Sequence, residues 1–297
     1  MVATGSLWAV FTICGSIGQT IRNAAQRGLI AKIGTIGATQ VRFVFGLPFA
    51  IGFLTVLHFA TGEAIPHLSQ TVLLWTAVGA LAQIIATALM LAAMKDKSFV
   101  VTTALIKTEA VQVAAFGLVF LRESLSWTAL SAIALATLGV LILSWPKSAE
   151  KPAPRAVLLG LVAGGFFAAS AIGYRGGIRA VEDAGFMLAS STVLVLALTL
   201  QCVLLGLYMA LFDRRSVRPM LREWRGSLLA GFVGALASQF WFLAFSLATA
   251  AAVRTLALVE VLFALALSKL YLRQPTSARE LSGITLVTLG VGLILWS

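Results

Sequence analysis

Residues 105–145 of this chain recur without a gap 151 positions later, at 256–296. Glu109 falls on Glu260, Leu121-Arg122 on Leu272-Arg273, Ser126 on Ser277 and Ser131 on Ser282. Thr137-Leu138-Gly139-Val140 falls on Thr288-Leu289-Gly290-Val291, and Trp145 on Trp296. Leu and Val coincide by chance in any apolar sequence, but Glu, Arg, Gly and Trp in register do not. The earlier parts of the two halves match more weakly at a shift of 155, Ile17-Gly18 on Ile172-Gly173 and Gly79-Ala80-Leu81-Ala82 on Gly234-Ala235-Leu236-Ala237. The change of shift puts a four-residue difference near 94–97, in a loop, where insertions are tolerated. The fold must therefore be two copies of one unit.

What that unit is follows from hydrophobicity. The chain is 60% hydrophobic and 11% charged, against about 45–50% and about 25% in a soluble domain. Apolar runs cover 4–28, 36–60, 69–94, 98–121, 126–145, 156–180, 184–211, 225–248, 251–273 and 277–296. A spanning helix needs about 20 such residues, and a lone segment crosses lipid only as a helix, which pairs all its own backbone groups. The expectation is an all-α polytopic membrane protein with ten transmembrane helices. The proline-rich, charged stretch at 147–155 is a linker by composition. It divides a first five-helix repeat at 1–146 from a second at 156–297. Five is odd, so the halves point oppositely through the bilayer as inverted repeats about an axis in the membrane plane.

The net charge of +11 sits mostly in short loops. Arg22, Arg27 and Lys32, Lys95 and Lys97, Lys147, Lys151 and Arg155, Arg214, Arg215, Arg218, Arg222 and Arg225, and Lys269, Arg273 and Arg279 follow helices 1, 3, 5, 7 and 9. The opposite side has little beyond Arg122, Arg175 and Arg179. Positive loops face the cytoplasm, which puts both termini on the other side. Charges so placed meet lipid headgroups. With no basic patch among aromatics, nucleic acid is not an expected partner. Cys14 and Cys202 read as free thiols in apolar runs, and His58 and His67 flank one loop, so neither metal nor cofactor is expected. The N-terminus carries no Lys or Arg before the first apolar run and does not read as a signal peptide. No G-x-x-x-x-G-K-[ST] loop, H-E-x-x-H pair or Ser/His arrangement points to ATP hydrolysis or catalysis.

The residues a bilayer should reject carry the most information. A charge at mid-membrane costs at least about 2.5–3.5 kcal/mol, and Arg42, Lys107, Glu109, Arg254 and Glu260 all stand inside apolar runs. Arg42 and Arg254 lie nearer run ends, where long side chains can reach an interface. A continuous helix 4 puts Thr102, Glu109 and Gln112 on one face, with Lys107 about 200° away from Glu109. Lys107 and Glu109 then cannot pair with each other, and each needs a partner elsewhere. Glu260 shares its face with Val253, Leu256 and Phe263. For Glu109 and Glu260 three roles stay open: bridging helices, binding cargo and coupling to protons. For Lys107 the choice is between charge partner and anchor for a cargo carboxylate.

Other polar or aromatic groups on cavity-type helices are Gln19, Gln83 with Thr87 one turn on, Tyr174, Gln239 and Trp241. Trp8, Trp75, Trp145 and Trp296 fit an interfacial belt, whereas Trp241 lies deeper and suits a cargo ring or a cation. Gly15 and Gly18, Gly160 and Gly164, and Gly173 and Gly177 are spaced for close helix contact. Pro48, after Gly46-Leu47, should kink helix 2.

Leu121-Arg122-Glu123-Ser124-Leu125-Ser126, followed by Leu138-Gly139-Val140-Leu141-Ile142-Leu143, resembles the closing helix pair of a repeat of the EamA family, in the drug/metabolite transporter superfamily. Arg273-Gln274-Pro275 through Leu289-Gly290-Val291 is similar to its second copy. That family often has Glu-Pro where Glu109 and Glu260 stand, but here Ala110 and Val261 follow. The resemblance implies a central cavity between the first four helices of each half and a secondary carrier of the bacterial inner membrane, commonly an exporter. The expected cargo is an amino acid or another zwitterionic or amphipathic metabolite, or a drug, moved by alternating access. Its expected binding residues are Glu109, Glu260, Lys107, Gln83, Gln239, Trp241, Tyr174 and Arg254, with Glu109 and Glu260 as coupling candidates. The alternatives are a passive facilitator or channel and a proton-coupled exchanger of cationic drugs. Expected partners are a small-molecule substrate, the lipid bilayer and protons, for a monomer or homodimer. Family members usually keep both termini in the cytoplasm, opposite to the charge bias here, so the direction of transport stays open.

Overall fold

The computed structural model describes residues 6–93, 104–145, 154–263 and 277–297. The offset near 94–97, Lys95, Lys97, Thr102, the linker as far as residue 153, Lys269 and the Arg273-Gln274-Pro275 motif lie outside the described residues. Among the described residues the helices include α1 (Leu7–Val44), α2 (Leu47–Thr61), α3 (Gln70–Ala93), α4 (Glu109–Leu121), α5 (Trp127–Ser144), α6 (Pro154–Arg179), α7 (Phe186–Phe212), α8 (Arg214–Arg222), α9 (Trp224–Leu247), α10 (Ala250–Leu256) and α11 (Ala278–Trp296). Among the described residues, eight segments are long and apolar enough to cross a bilayer. Val56, Phe59, Leu118, Phe120, Leu207 and Phe212 point outward, a surface suited to lipid. This is an all-helical, multi-pass membrane protein.

The first two apolar runs are not joined by a loop. Helix α1 continues through 29–33 and reverses at Gly34, whose φ of 73° and ψ of 174° suit only glycine. A side chain there would find open space, with nothing within 4 Å. Gly34→Ala should therefore cost about 1–3 kcal/mol through backbone strain alone. A shift of the unfolding midpoint in detergent measures it, and an unchanged midpoint would show that the limbs do not need this bend. A second interruption separates Val44 from Leu47, just before Pro48, as the Gly46-Leu47-Pro48 motif suggests. Helix α8, rich in arginine, was not foreseen from hydrophobicity. It buries Met220 and packs Val217 against the core, while Glu223 at its end meets Lys32 at 2.8 Å.

The halves interlock by exchange. The most extensive helix contacts are α1 with α9, α3 with α6 and α5 with α11. By the repeat register, α9 corresponds to α3 and α6 to the first limb of α1, so the first two contacts are one contact made twice. The same exchange holds at residue level. A Cβ on Gly139 would lie 2.7 Å from the Val287 nitrogen and 2.8 Å from the Gly283 oxygen. A Cβ on Gly290, the repeat mate of Gly139, would lie 2.6 Å from the Ala136 nitrogen and 2.7 Å from the Ala132 oxygen. Reciprocal pairing of this kind is what a two-fold relation produces. The caps repeat too: Ser126 accepts from the Ala129 amide and Ser277 from the Glu280 amide, the latter in a full capping box. Backbone closeness at these glycines replaces the hydrophobic force that lipid cannot supply. Gly18 likewise meets Ala237, and Gly173 meets Gly79.

Candidate functional site

Helix α4 is broken where its first charge sits. Residues 104–106 are helical, Lys107 and Thr108 form a turn, and α4 restarts at Glu109. The turn is closed by i→i−3 bonds, Lys107 N–H to Ala104 and Thr108 N–H to Leu105, a tightened geometry common at functional breaks. The second half repeats it: α10 ends at Leu256, Ala257 and Leu258 turn, and helix resumes at Val259 before Glu260. Leu258 N–H bonds to Thr255 and Glu260 N–H to Ala257. The break separates Lys107 from the helix that carries Glu109, so one unbroken helix 4 does not relate those two, whereas Gln112 stays on α4 with Glu109. Gln112 does not share a site with Glu109; it bonds to Thr108 and the Leu161 carbonyl against α6.

The breaks bring four charges together. Lys107 pairs with Glu260, and Arg254 Nε lies 2.8 Å from Glu109 Oε1. Each pair joins one half of the chain to the other, and their side chains are only 9–22% exposed. The Arg254 N–H is not aligned on the Glu109 oxygen, since both atoms lack a hydrogen-bond partner. The contact is charge pairing at close range, weaker than a forked hydrogen bond. Arg254 also lies against two aromatic rings of α9, 4.6 Å from the Trp241 ring and 5.4 Å from Phe245. Arg254 thus does not reach an interface, and Trp241 meets a cation of the protein itself. Gln19, Ala110, Ala257 and Leu258 complete a polar hollow with a free volume of about 20 Å³. A water needs roughly 10–15 Å³ by this measure, so the hollow admits water only.

The remaining expected residues form separate groups. Tyr174 donates to Gln83 at 2.7 Å and accepts from Gln201 at 2.8 Å, and Gln201 also reaches Gln83 at 3.1 Å. Tyr174 and Gln201 are buried, so this trio locks α3, α6 and α7. Gln239 donates to Ser191 at 2.8 Å, tying α9 to α7. None of Gln83, Tyr174 or Gln239 lines the hollow. Among the described residues no three His, Cys, Asp or Glu side chains are placed to hold a metal ion.

Sequence reasoning missed three features. Gln201 and Ser191 carried no signal, because a single polar residue in an apolar run says nothing of its partner. Glu123 pairs with Arg175, whose guanidinium also donates to the carbonyls of Phe245 and Ala248 at the end of α9. Arg22 is the largest correction. It is not a loop residue that sets topology, because α1 runs on to Gly34 and buries it at 2% exposure. The clue was present: Gln19, Arg22 and Gln26 recur at three- and four-residue spacing, the stripe of one helix face. Arg42, at 3% exposure, is equally enclosed.

Comparison with known proteins adds family and fold. A model of the "EamA-like transporter family" matches residues 5–145 and again 154–296. A comparison with curated proteins gives no significant match. One crystal structure superposes with a TM-score of 0.71 over 98% of this chain and 96% of that chain, at 15% identity. At that identity the likeness concerns the fold alone. The two family matches together cover nearly the whole sequence, and the chain belongs to the EamA-like transporter family.

Proposed function

We propose that the chain is a secondary transporter of a small polar or amphipathic metabolite, an amino acid or related zwitterion, working by alternating access. Its halves, 1–146 and 156–297 about a linker at 147–155, act as inverted five-helix repeats, ten spans in all, in the inner membrane. Charge bias supports termini on the periplasmic side. The observation that carries the reading is the pair of ion pairs, Lys107–Glu260 and Arg254–Glu109, each spanning the two halves. Charges that are matched only across a moving interface hold one state and release when cargo supplies replacement charges. The misaligned Arg254–Glu109 contact is suited to that exchange. A permanently open channel is less well supported, because the hollow around the four charges holds about 20 Å³.

Counterflow in proteoliposomes loaded with amino acids, with sidedness set by thiol labelling of Ser297→Cys, tests the proposal. Wild-type protein should accelerate exchange, and Lys107→Gln with Glu260→Gln should slow it at least about tenfold. Exchange that is unchanged by this double substitution would remove these charges from the transport cycle.

A further inference from the structure

Arg22 and Arg42 present an unanswered charge. Arg22 sits 12 residues before the Gly34 bend and Arg42 8 residues after it. Gln26 donates to the Ala38 carbonyl across the bend at 2.8 Å. Arg22 and Arg42 each stand four residues further along their limbs, about one turn, so the two lie at similar depth on facing limbs of α1. Both reach the same spot on α9, because a Cβ on Gly234 would lie 3.2 Å from Arg22 Cδ and 3.5 Å from Arg42 Cγ. Among the described residues, neither has a carboxylate partner. Arg22 bonds only to the neighbouring Asn23 amide, and Arg42 makes a 3.4 Å contact with Thr87. Arg22 Nη1 and Arg42 Nε have no hydrogen-bond partner at all.

Buried cations are normally paired, and a guanidinium cannot shed its proton to escape the cost. The neighbouring charges do not help. Lys107 and Arg254 are already matched by Glu260 and Glu109. Among the described residues, these four cations face two carboxylates, which leaves the six groups with a net charge of 4 − 2 = +2.

We infer that Arg22 and Arg42 form a binding site for an oxyanion group of the transported compound, a carboxylate or a phosphate, and that the cargo is a net anion. The guanidinium fork suits both groups. Gly234 lets the stems of both arginines pack against the α9 backbone, which holds the two guanidinium groups near one another. Because the arginines lie on separate limbs, a bound oxyanion ties the limbs together about Gly34, and its loss leaves two like charges pressing them apart. The inference rests on the transporter reading and replaces a neutral zwitterion, as its cargo, with a metabolite of net negative charge.

The test uses full-length protein with succinate, glycerol 3-phosphate, a neutral zwitterionic amino acid and a lipophilic cation as probes. Succinate or glycerol 3-phosphate should raise the wild-type melting midpoint by several degrees over sodium chloride at equal ionic strength. The same compound should drive counterflow. Arg22→Gln and Arg42→Gln should each raise its half-saturating concentration at least tenfold, and Arg42→Lys, which keeps charge but loses the fork, by less. If the glutamine variants do not fold, the wild-type midpoint shift and Arg42→Lys still decide. Exchange of the zwitterion or the cation with no response to either anion overturns the inference and leaves transport standing. Exchange of no probe together with no midpoint shift overturns both. Glutamine variants that lower stability but leave half-saturation unchanged also overturn the inference, since the arginines would then be structural.

Discussion

Glu109→Gln is expected to destabilise the protein by about 3–5 kcal/mol, more than Arg254→Gln does, although the two substitutions break the same ion pair. The asymmetry comes from what each leaves behind. Without Glu109, Arg254 stays charged against Trp241 and Phe245 without the carboxylate it pairs with. Without Arg254, Glu109 can take up a proton and become neutral. The loss of the Arg254–Trp241 contact, worth about 0.5–2 kcal/mol, narrows the gap without closing it. The double substitution should recover most of the loss, because uncharged amides can occupy both positions. Unfolding of purified protein in mixed detergent micelles gives the three values. If Arg254→Gln proves the more damaging, or if the double substitution equals the sum of the singles, the two side chains are not coupled as described.

The second large effect is steric. A Cβ on Gly173 would lie 2.6 Å from both the Cα and the nitrogen of Gly79 and 2.9 Å from the Trp75 oxygen. These are backbone atoms of α3 and cannot rotate away. Gly173→Ala should cost about 1–3 kcal/mol by overpacking, and Gly173→Leu should prevent recovery of folded protein by separating α3 from α6. Gly28→Ala is the control, since nothing lies within 4 Å of that position. There the gain in helix propensity, about 0.5–1 kcal/mol in water, should leave stability equal or higher. Thermal unfolding followed by size-exclusion chromatography compares them. Equal behaviour of the two alanine variants would mean that α3 and α6 are held by something other than close backbone contact.

The features legible in the sequence were those written twice. Ser126 and Ser277 are in register and cap equivalent helices; Gly139 and Gly290 are in register and make reciprocal contacts. Duplicated residues report on a symmetric scaffold, so repeat, helix class and interface glycines could be read directly. The candidate site is different because its cations are not duplicated. Lys107 corresponds to Leu258 and Arg254 to Thr103 in the repeat register. Glu109 and Glu260 were therefore visible as mates, but their partners depended on two helix breaks that no glycine or proline announces. Arg22 was misread for a related reason. A hydrophobicity scan ends a helix where polar residues accumulate, whereas here the polar stripe faces inward and the helix continues. Tyr174 and Gln83 were singled out as cavity residues, but the structure commits them to each other and to Gln201. Polarity in an apolar run marks a buried hydrogen bond whether its partner is cargo or protein.

Cross-half pairing has a biosynthetic corollary. Lys107 precedes Glu260 by 153 residues and Glu109 precedes Arg254 by 145. At about 5–20 residues per second, roughly 7–30 s of synthesis separate each early charge from its mate. During that interval the nascent chain must shelter Lys107 and Glu109 at the translocon or in water. A product cut short before codon 254 leaves both charges without the mates they have in the folded protein.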